Sequence, residues 1–136
     1  MDLDDARAFL AEHHRGVLAT RRADGEVQMS PVLCALDAKG RVVVSTRETA
    51  RKTHHVRRDP RVALCVLPDG FFGRWIQVEG RAEVVEQPEA TEGLVDYYRR
   101  VSGEHPDWAA YRQAMVEERR VLLAVTLVRA GPDLEG

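Results

Sequence analysis

The sequence predicts a mainly β protein: a six-stranded antiparallel β-barrel with helices packed around it. Three observations carry that reading. Short runs with period-two alternation or continuous apolar character recur along the chain, separated by turn residues. Helical periodicity is confined to the first residues, one short central stretch and the C-terminal third. A late apolar run, VLLAVTLV (Val121–Val128), is placed to close the sheet.

Each element follows from its residues. Asp2–His14 reads as a helix: Asp2 can cap it, and Leu3, Ala6, Phe9 and Leu10 share one face. His13 and His14 stand at its end, where positive charge suits the dipole, and read as solvated. Gly16–Arg22 is the first strand and Val27–Asp37 the second, joined through an Asp24-Gly25 hairpin turn. Ala38–Arg41 turns the chain into the third strand, Val42–Val44. Thr49–Arg58 is a short helix, with Thr49 as its cap and Asp59-Pro60 as its stop. Arg61–Leu67 is the fourth strand. Pro68–Gly73 is a loop. Trp75–Val85 is the fifth strand, and Gly80 inside it marks a bulge or a barrel corner. Two helical stretches, around Pro88–Val101 and Pro106–Glu118, precede the sixth strand at Val121–Val128. Ala130–Gly136 reads as a polar tail.

The chain has 136 residues and reads as one domain, 1–136. Its formal net charge of -2 argues against general nucleic-acid binding, which goes with a strongly basic domain. No apolar run approaches the roughly 20 residues of a membrane span, and the acidic start (Met1-Asp2-Leu3-Asp4-Asp5) carries no secretory pattern. A cytoplasmic protein is expected. Cys34 and Cys65 each sit in an apolar run without metal-ligand spacing, and read as reduced, buried thiols. No metal site is expected.

The strongest local anomaly is STRETARKTHHVRRDP, Ser45–Pro60. It concentrates Arg47, Arg51, Lys52, Arg57 and Arg58 against Glu48 and Asp59, and Lys52 is one of only two lysines. Cations in a helix's first turn oppose its dipole, so helix stability does not explain Arg51 and Lys52. An anion would: Ser45, Thr46, backbone N–H groups and the two cations converge as a phosphate site does. A solvated basic helix is the other reading, and the local pattern leaves both open. His54 and His55 read as surface residues of that helix. Pro31 interrupts VQMSPVLCAL and belongs at an edge or a bulge, which frees backbone groups for a planar ligand beside Gln28 and Ser30. There is no GxSxG, HExxH, Walker or GxGxxG pattern, so no side chain is assigned a catalytic role and a bound cofactor is expected to carry the chemistry.

The ordered set LATRRADGEVQMSPV, VVVSTRETARK, RRDPRVALCVL and RWIQVEGRAEVVE resembles the flavin-binding split β-barrel family, which includes the pyridoxamine 5'-phosphate oxidase-like proteins. The tail from Tyr97 to Pro132 is similar to that of a short actinobacterial subgroup of F420-dependent enzymes. The resemblance implies an FMN-binding split barrel and a homodimer with two cofactor sites at the subunit interface. It implies Lys52 as the phosphate-binding lysine, with Ser45, Thr46, Arg47 and Arg51 around it. It places Gln28, Met29, Ser30, Pro31 and Val32 along the ring, and Trp75 and Gln77 where relatives approach from the partner subunit. The C-terminal Arg-x-His-x-Arg motif of the vitamin B6 oxidases is absent, since no histidine follows His105. That departure favours coenzyme F420 over FMN, and an oxidoreductase passing hydride to a small organic substrate. An FMN oxidoreductase and a non-catalytic F420-binding or storage protein are the alternatives.

Overall fold

The computed structural model describes residues 1–136. The chain runs α1 (Leu3–Glu12), β1 (Arg15–Arg21), β2 (Val27–Leu33), β3 (Ala35–Leu36), β4 (Val42–Arg47), α2 (Arg51–Arg58), β5 (Arg61–Leu67), β6 (Arg74–Val85), α3 (Ala90–Ser102), α4 (Trp108–Glu117) and β7 (Arg120–Glu135). The strands form one antiparallel sheet in the order β2-β1-β5-β6-β7-β4-β3. The mainly β class is as expected, but there are seven strands, not six. The expected strand Val27–Asp37 breaks at Cys34, whose N–H donates to the His14 carbonyl at 2.7 Å. Its first part pairs with β1 and its second with β4, at opposite edges of the sheet. One short crossing at Cys34 thus joins the two edges and curls the sheet into a split barrel.

The interior follows the pleat. Leu18, Val42, Val44, Val62, Leu64, Val66, Ile76 and Val78 alternate inward and form the main core. Phe9 and Leu10 of α1 and Val56 of α2 join it from opposite ends of β1. Gly80 lies where the β6–β7 register shifts, and a Cβ there would stand 2.2 Å from the Thr126 carbonyl oxygen, so only glycine fits the bend. A second core lies outside the barrel. Val43, Leu122 and Ala124 on the outward face of β4 and β7 pack against Leu94, Val95, Tyr111 and Met115 of α3 and α4.

Several expectations are corrected. Thr49 does not cap α2; the cap position is Ala50, without a side-chain bond, and Thr53 Oγ1 donates to the Arg47 carbonyl at 2.7 Å instead. The polar tail is a continuation of β7, paired with Arg74–Ile76 and held by a two-point Arg74–Asp133 ion pair. His14 is half-buried against the Cys34 carbonyl at 2.9 Å, and His55 is buried, not a surface residue of α2. Cys65 is half-buried where full burial was expected. Pro31 sits on an edge strand with unbroken register, so the edge reading holds and the bulge does not. No helix is long and apolar enough to cross a membrane.

Candidate functional site

The Ser45–Pro60 stretch folds as a strand end, a tight turn and a helix. Ala50 N–H donates to the Arg47 carbonyl at 3.1 Å, closing the turn that launches α2. The strand pleat then separates Ser45 from Thr46. Ser45 faces outward, beside Val43 and toward α3 and α4; Thr46 is buried on the opposite face. The first turn of α2 directs Lys52 toward Ser45.

Between them lies a cavity of about 340 Å³. The end of β2 (Pro31, Val32, Leu33) forms one wall, Ser45 and Lys52 another, and Tyr97, Tyr98, Tyr111 and Met115 from α3 and α4 the third. Arg120, the first residue of β7, completes it. No carboxylate lines this space. Partial burial lowers the Lys52 pKa, and the nearby Arg120 guanidinium lowers it further. The cation pair is thus under mutual repulsion, relieved only in part by the Arg120–Glu118 contact at 3.1 Å. An anion between the two would be stabilised by both.

Tyr97 fixes the mouth of the split. Its hydroxyl donates to the Leu33 carbonyl at 2.9 Å, and it also meets the Ser45 backbone, so one side chain bridges β2 and β4. Burial pushes the phenol up to about 12, which keeps it a neutral donor. Tyr111 O–H donates to the Leu94 carbonyl at 3.0 Å, fixing the α3–α4 wall.

Of the twelve expected site residues, Pro31, Val32, Ser45 and Lys52 meet in this cavity. Gln28, Met29 and Ser30 lie further along β2, whose second edge is unpaired and leaves backbone donors and acceptors open. Gln28 Oε1 is buried and receives no hydrogen bond, so an acceptor is also open there. Thr46 faces the interior. Arg47 is exposed and reaches Glu118 at 3.7 Å. Arg51 lines a different cavity from Lys52. Trp75 and Gln77 stand on the outward face of β6 and do not reach Lys52 within one chain. Reading the sequence missed Arg120, Leu33, Met115 and the three tyrosines. The adjacent Tyr97-Tyr98 pair on a helix was the one available signal.

A larger cavity, about 480 Å³, lies elsewhere. It sits on the outer face of β1, β5 and β6, lined by Ala19, Arg21, Arg61, Ala63, Gly80 and Arg81 among others. Arg61 is held by Asp59, whose carboxylate accepts from it at 2.7 and 3.0 Å. This concavity has no helix over it.

Residues 3–131 match the family described as pyridoxamine 5'-phosphate oxidase. The chain is 31% identical over 128 residues to an F420H(2)-dependent biliverdin reductase of Mycobacterium tuberculosis (strain CDC 1551 / Oshkosh), covering 93% of this chain and 84% of that protein. Among solved structures it superposes on a conserved hypothetical protein of Mycobacterium tuberculosis with a TM-score of 0.75 at 26% identity, over 96% of this chain and 82% of the other. It also superposes on an F420 reductase with a TM-score of 0.71 at 22% identity, over 92% and 94% of the two chains, a likeness of fold. The chain belongs to the pyridoxamine 5'-phosphate oxidase family.

Proposed function

From that membership, we propose that this protein is a coenzyme F420-dependent oxidoreductase, passing hydride between the reduced deazaflavin and a small conjugated organic molecule. The observation that carries the reading is the carboxylate-free cavity in which Lys52 and Arg120 face each other beside an unpaired strand edge. The relative named as an F420H(2)-dependent reductase supports the choice of deazaflavin over FMN. The missing Arg-x-His-x-Arg motif sets the chain apart from vitamin B6 oxidases.

The residues fit such a group. Lys52, Arg120 and Ser45 would hold its phosphate. The free edge of β2, with the open Gln28 acceptor, would meet a planar ring with polar edges. When bound, a deazaflavin supplies hydride transfer at its central ring carbon. The chain's own part is binding, orientation and exclusion of water. The tyrosine wall and Met115 would shield one side of the phosphate end, and Tyr97 ties β2 to β4. A second copy of the chain is proposed to cover the bare outer face of β2, β1, β5 and β6, bringing its own Trp75 and Gln77 to the site.

The test is a pair of binding isotherms, with F420 and with FMN, for wild type, Lys52→Ala and Arg120→Ala. F420 should bind more tightly than FMN, and each substitution should weaken it at least about tenfold, the loss expected of one charged hydrogen bond of about 1.5–3 kcal/mol. Preference for FMN would move the protein to the flavin branch. Full affinity in both variants would remove the site. Turnover of enones, quinones and biliverdin by F420H2 separates an enzyme from a carrier.

A further inference from the structure

The chain carries eight aromatic side chains: three phenylalanines, three tyrosines and two tryptophans. Five have partners within the chain. Phe9 is in the main core, Tyr97, Tyr98 and Tyr111 wall the Lys52 cavity, and Trp108 packs edge-on against Tyr98 and Tyr111. The other three, Phe71, Phe72 and Trp75, lie within five residues on the hairpin that joins β5 to β6. Neither phenylalanine belongs to either core, and the two are 63% and 76% exposed. That exposure is built in. Phe71 has a φ of 74°, a region that bulky side chains seldom enter. Its N–H donates to the Pro68 carbonyl at 3.0 Å, and that of Phe72 to the Gly70 carbonyl at 2.9 Å. Gly73 and Gly136 exchange N–H to carbonyl bonds at 3.2 and 2.9 Å, which ties the base of the turn to the end of β7. The two rings meet edge to face at 5.0 Å.

The hairpin stands at one end of the bare outer face. The register puts Arg15 between Leu33 and Leu67, sets Trp75 opposite Leu134, and brings Leu67 beside Trp75 one step beyond the Val66–Ile76 pair. Leu33 and Leu134 are exposed, and Leu67 and Trp75 are half-buried. The turn therefore rises from an apolar row and with it makes a patch larger than scattered surface residues make. Its flanking charges cancel: Asp69 lies 3.6 Å from Arg15, and Arg74 is held by Asp133 at 2.8 Å. A tip without a free cation does not suit an anionic lipid surface. It suits a neutral, flat molecule, which two perpendicular phenyls can contact by face and by edge.

We infer that, given the two-copy cofactor site proposed above, Phe71 and Phe72 of one copy form the apolar wall of the substrate position at the other copy's site, and that they select a neutral, flat, conjugated molecule. Two copies related by a two-fold axis contact each other isologously, so what one brings to its partner it also receives. A copy that brings Trp75 to the partner's β2 brings with it the hairpin tip three and four residues earlier. Along the ring end of β2, Gln28, Met29 and Ser30 offer no aromatic side chain, and the chain's own tyrosines stand at the phosphate end. The stacking wall for a hydride acceptor therefore comes from the partner.

The experiment uses the whole protein loaded with oxidised F420, so that no turnover occurs, and two probes: flavone, a flat aromatic enone, and 4-pyrone, the same ketone ring without the aryl groups. Phe71→Ala with Phe72→Ala should weaken flavone binding at least about tenfold and 4-pyrone binding less than about threefold, with F420 affinity and the dimer unchanged. Both side chains are exposed, so the variant keeps its fold, as thermal unfolding reads. A mixed dimer, purified through two tags, then locates the wall. One chain carries Lys52→Ala, the other Phe71→Ala with Phe72→Ala, at an F420 concentration that leaves Lys52→Ala sites empty. The second chain keeps Lys52 and receives intact phenyls from the first, so one flavone site of wild-type affinity per mixed dimer is expected. Absence of that site would put the pair in its own chain's site and overturn the inference. Full flavone affinity in the double variant, equal weakening of the two probes, or loss of the dimer, which would make the pair an interface anchor, would do the same. A wild type that binds no F420 or stays monomeric would remove the proposed site and this inference with it; normal F420 binding with unchanged flavone affinity removes the inference alone.

Discussion

The outer face of the curled sheet is finished in two ways. Over β4 and β7 it is covered: Val43, Leu122 and Ala124 are buried beneath α3 and α4. Over β2, β1, β5 and β6 it is bare. There the register lines up Pro31, Val17, Cys65 and Gln77 in one row and Met29, Ala19, Ala63 and Glu79 in the next. Met29 is 69% exposed, while Leu94 in the covered half is 0% exposed. The chain supplies its own helices to one half of the face and none to the other. The Lys52 cavity lies on the border between them. The covered half fixes its tyrosine wall, and the bare half presents the free strand.

The largest effect should come from the covered half. Leu94→Ala removes a fully buried side chain from the second core and should cost about 3 kcal/mol, measured by denaturant unfolding. A loss below about 1 kcal/mol would mean that α3 is loosely docked and that the two halves differ less than their burial implies.

The bare half should respond in association, not in folding. Ala63→Glu places a carboxylate in the middle of that face. If a second copy covers it, the dimer dissociation constant should rise at least about thirtyfold, about 2 kcal/mol, with the unfolding midpoint of the dissociated chain unchanged. Sedimentation velocity reads the first and thermal unfolding at low concentration the second. A wild-type monomer at all concentrations would break the comparison, leaving the face bare in solution.

The two thiols sharpen the contrast. Cys34 lies at the crossing between the sheet edges, fully buried, and burial pushes its pKa up to about 12. Cys65 is half-buried on the bare face, and burial raises its pKa too. Alkylation of the dissociated chain at low concentration, followed by mass spectrometry, should modify Cys65 at least about tenfold faster than Cys34. Equal rates would mean that the crossing opens as readily as the face.

The smallest effect concerns acid stability. His55 has a folded pKa below its ordinary value of 6.5, so the unfolded chain takes up the proton first as pH falls. The stability held by the neutral ring is complete above pH 6.5 and declines as pH drops from there toward the folded value. His55→Gln should flatten that decline in unfolding curves between pH 7 and 5. An unchanged slope would place the acid sensitivity on another group.

Much was legible in the residues themselves. The period of apolar positions marks β1, β5 and β6 within a residue or two, because an inward-facing residue must alternate with an outward one. Asp2 caps α1 as its side chain requires, accepting from Asp4 N–H at 2.6 Å. Lys52 stood out because a cation in a first helical turn asks for an anion. What the sequence could not show was which neighbours meet. VQMSPVLCAL looks continuous, and only the curl of the sheet divides it at Cys34 between opposite edges. Arg51 and Lys52 look like one clamp, yet a helix turns successive side chains by about 100° and sends them to separate cavities. Arg120 lies far along the chain from Lys52 and reaches it only because β7 pairs with β4, setting Arg120 opposite Arg47. Local pattern therefore determined the elements and one anchor of the site. Long-range strand pairing decided its walls, because the contacts that build them depend on register and closure, not on neighbouring residues.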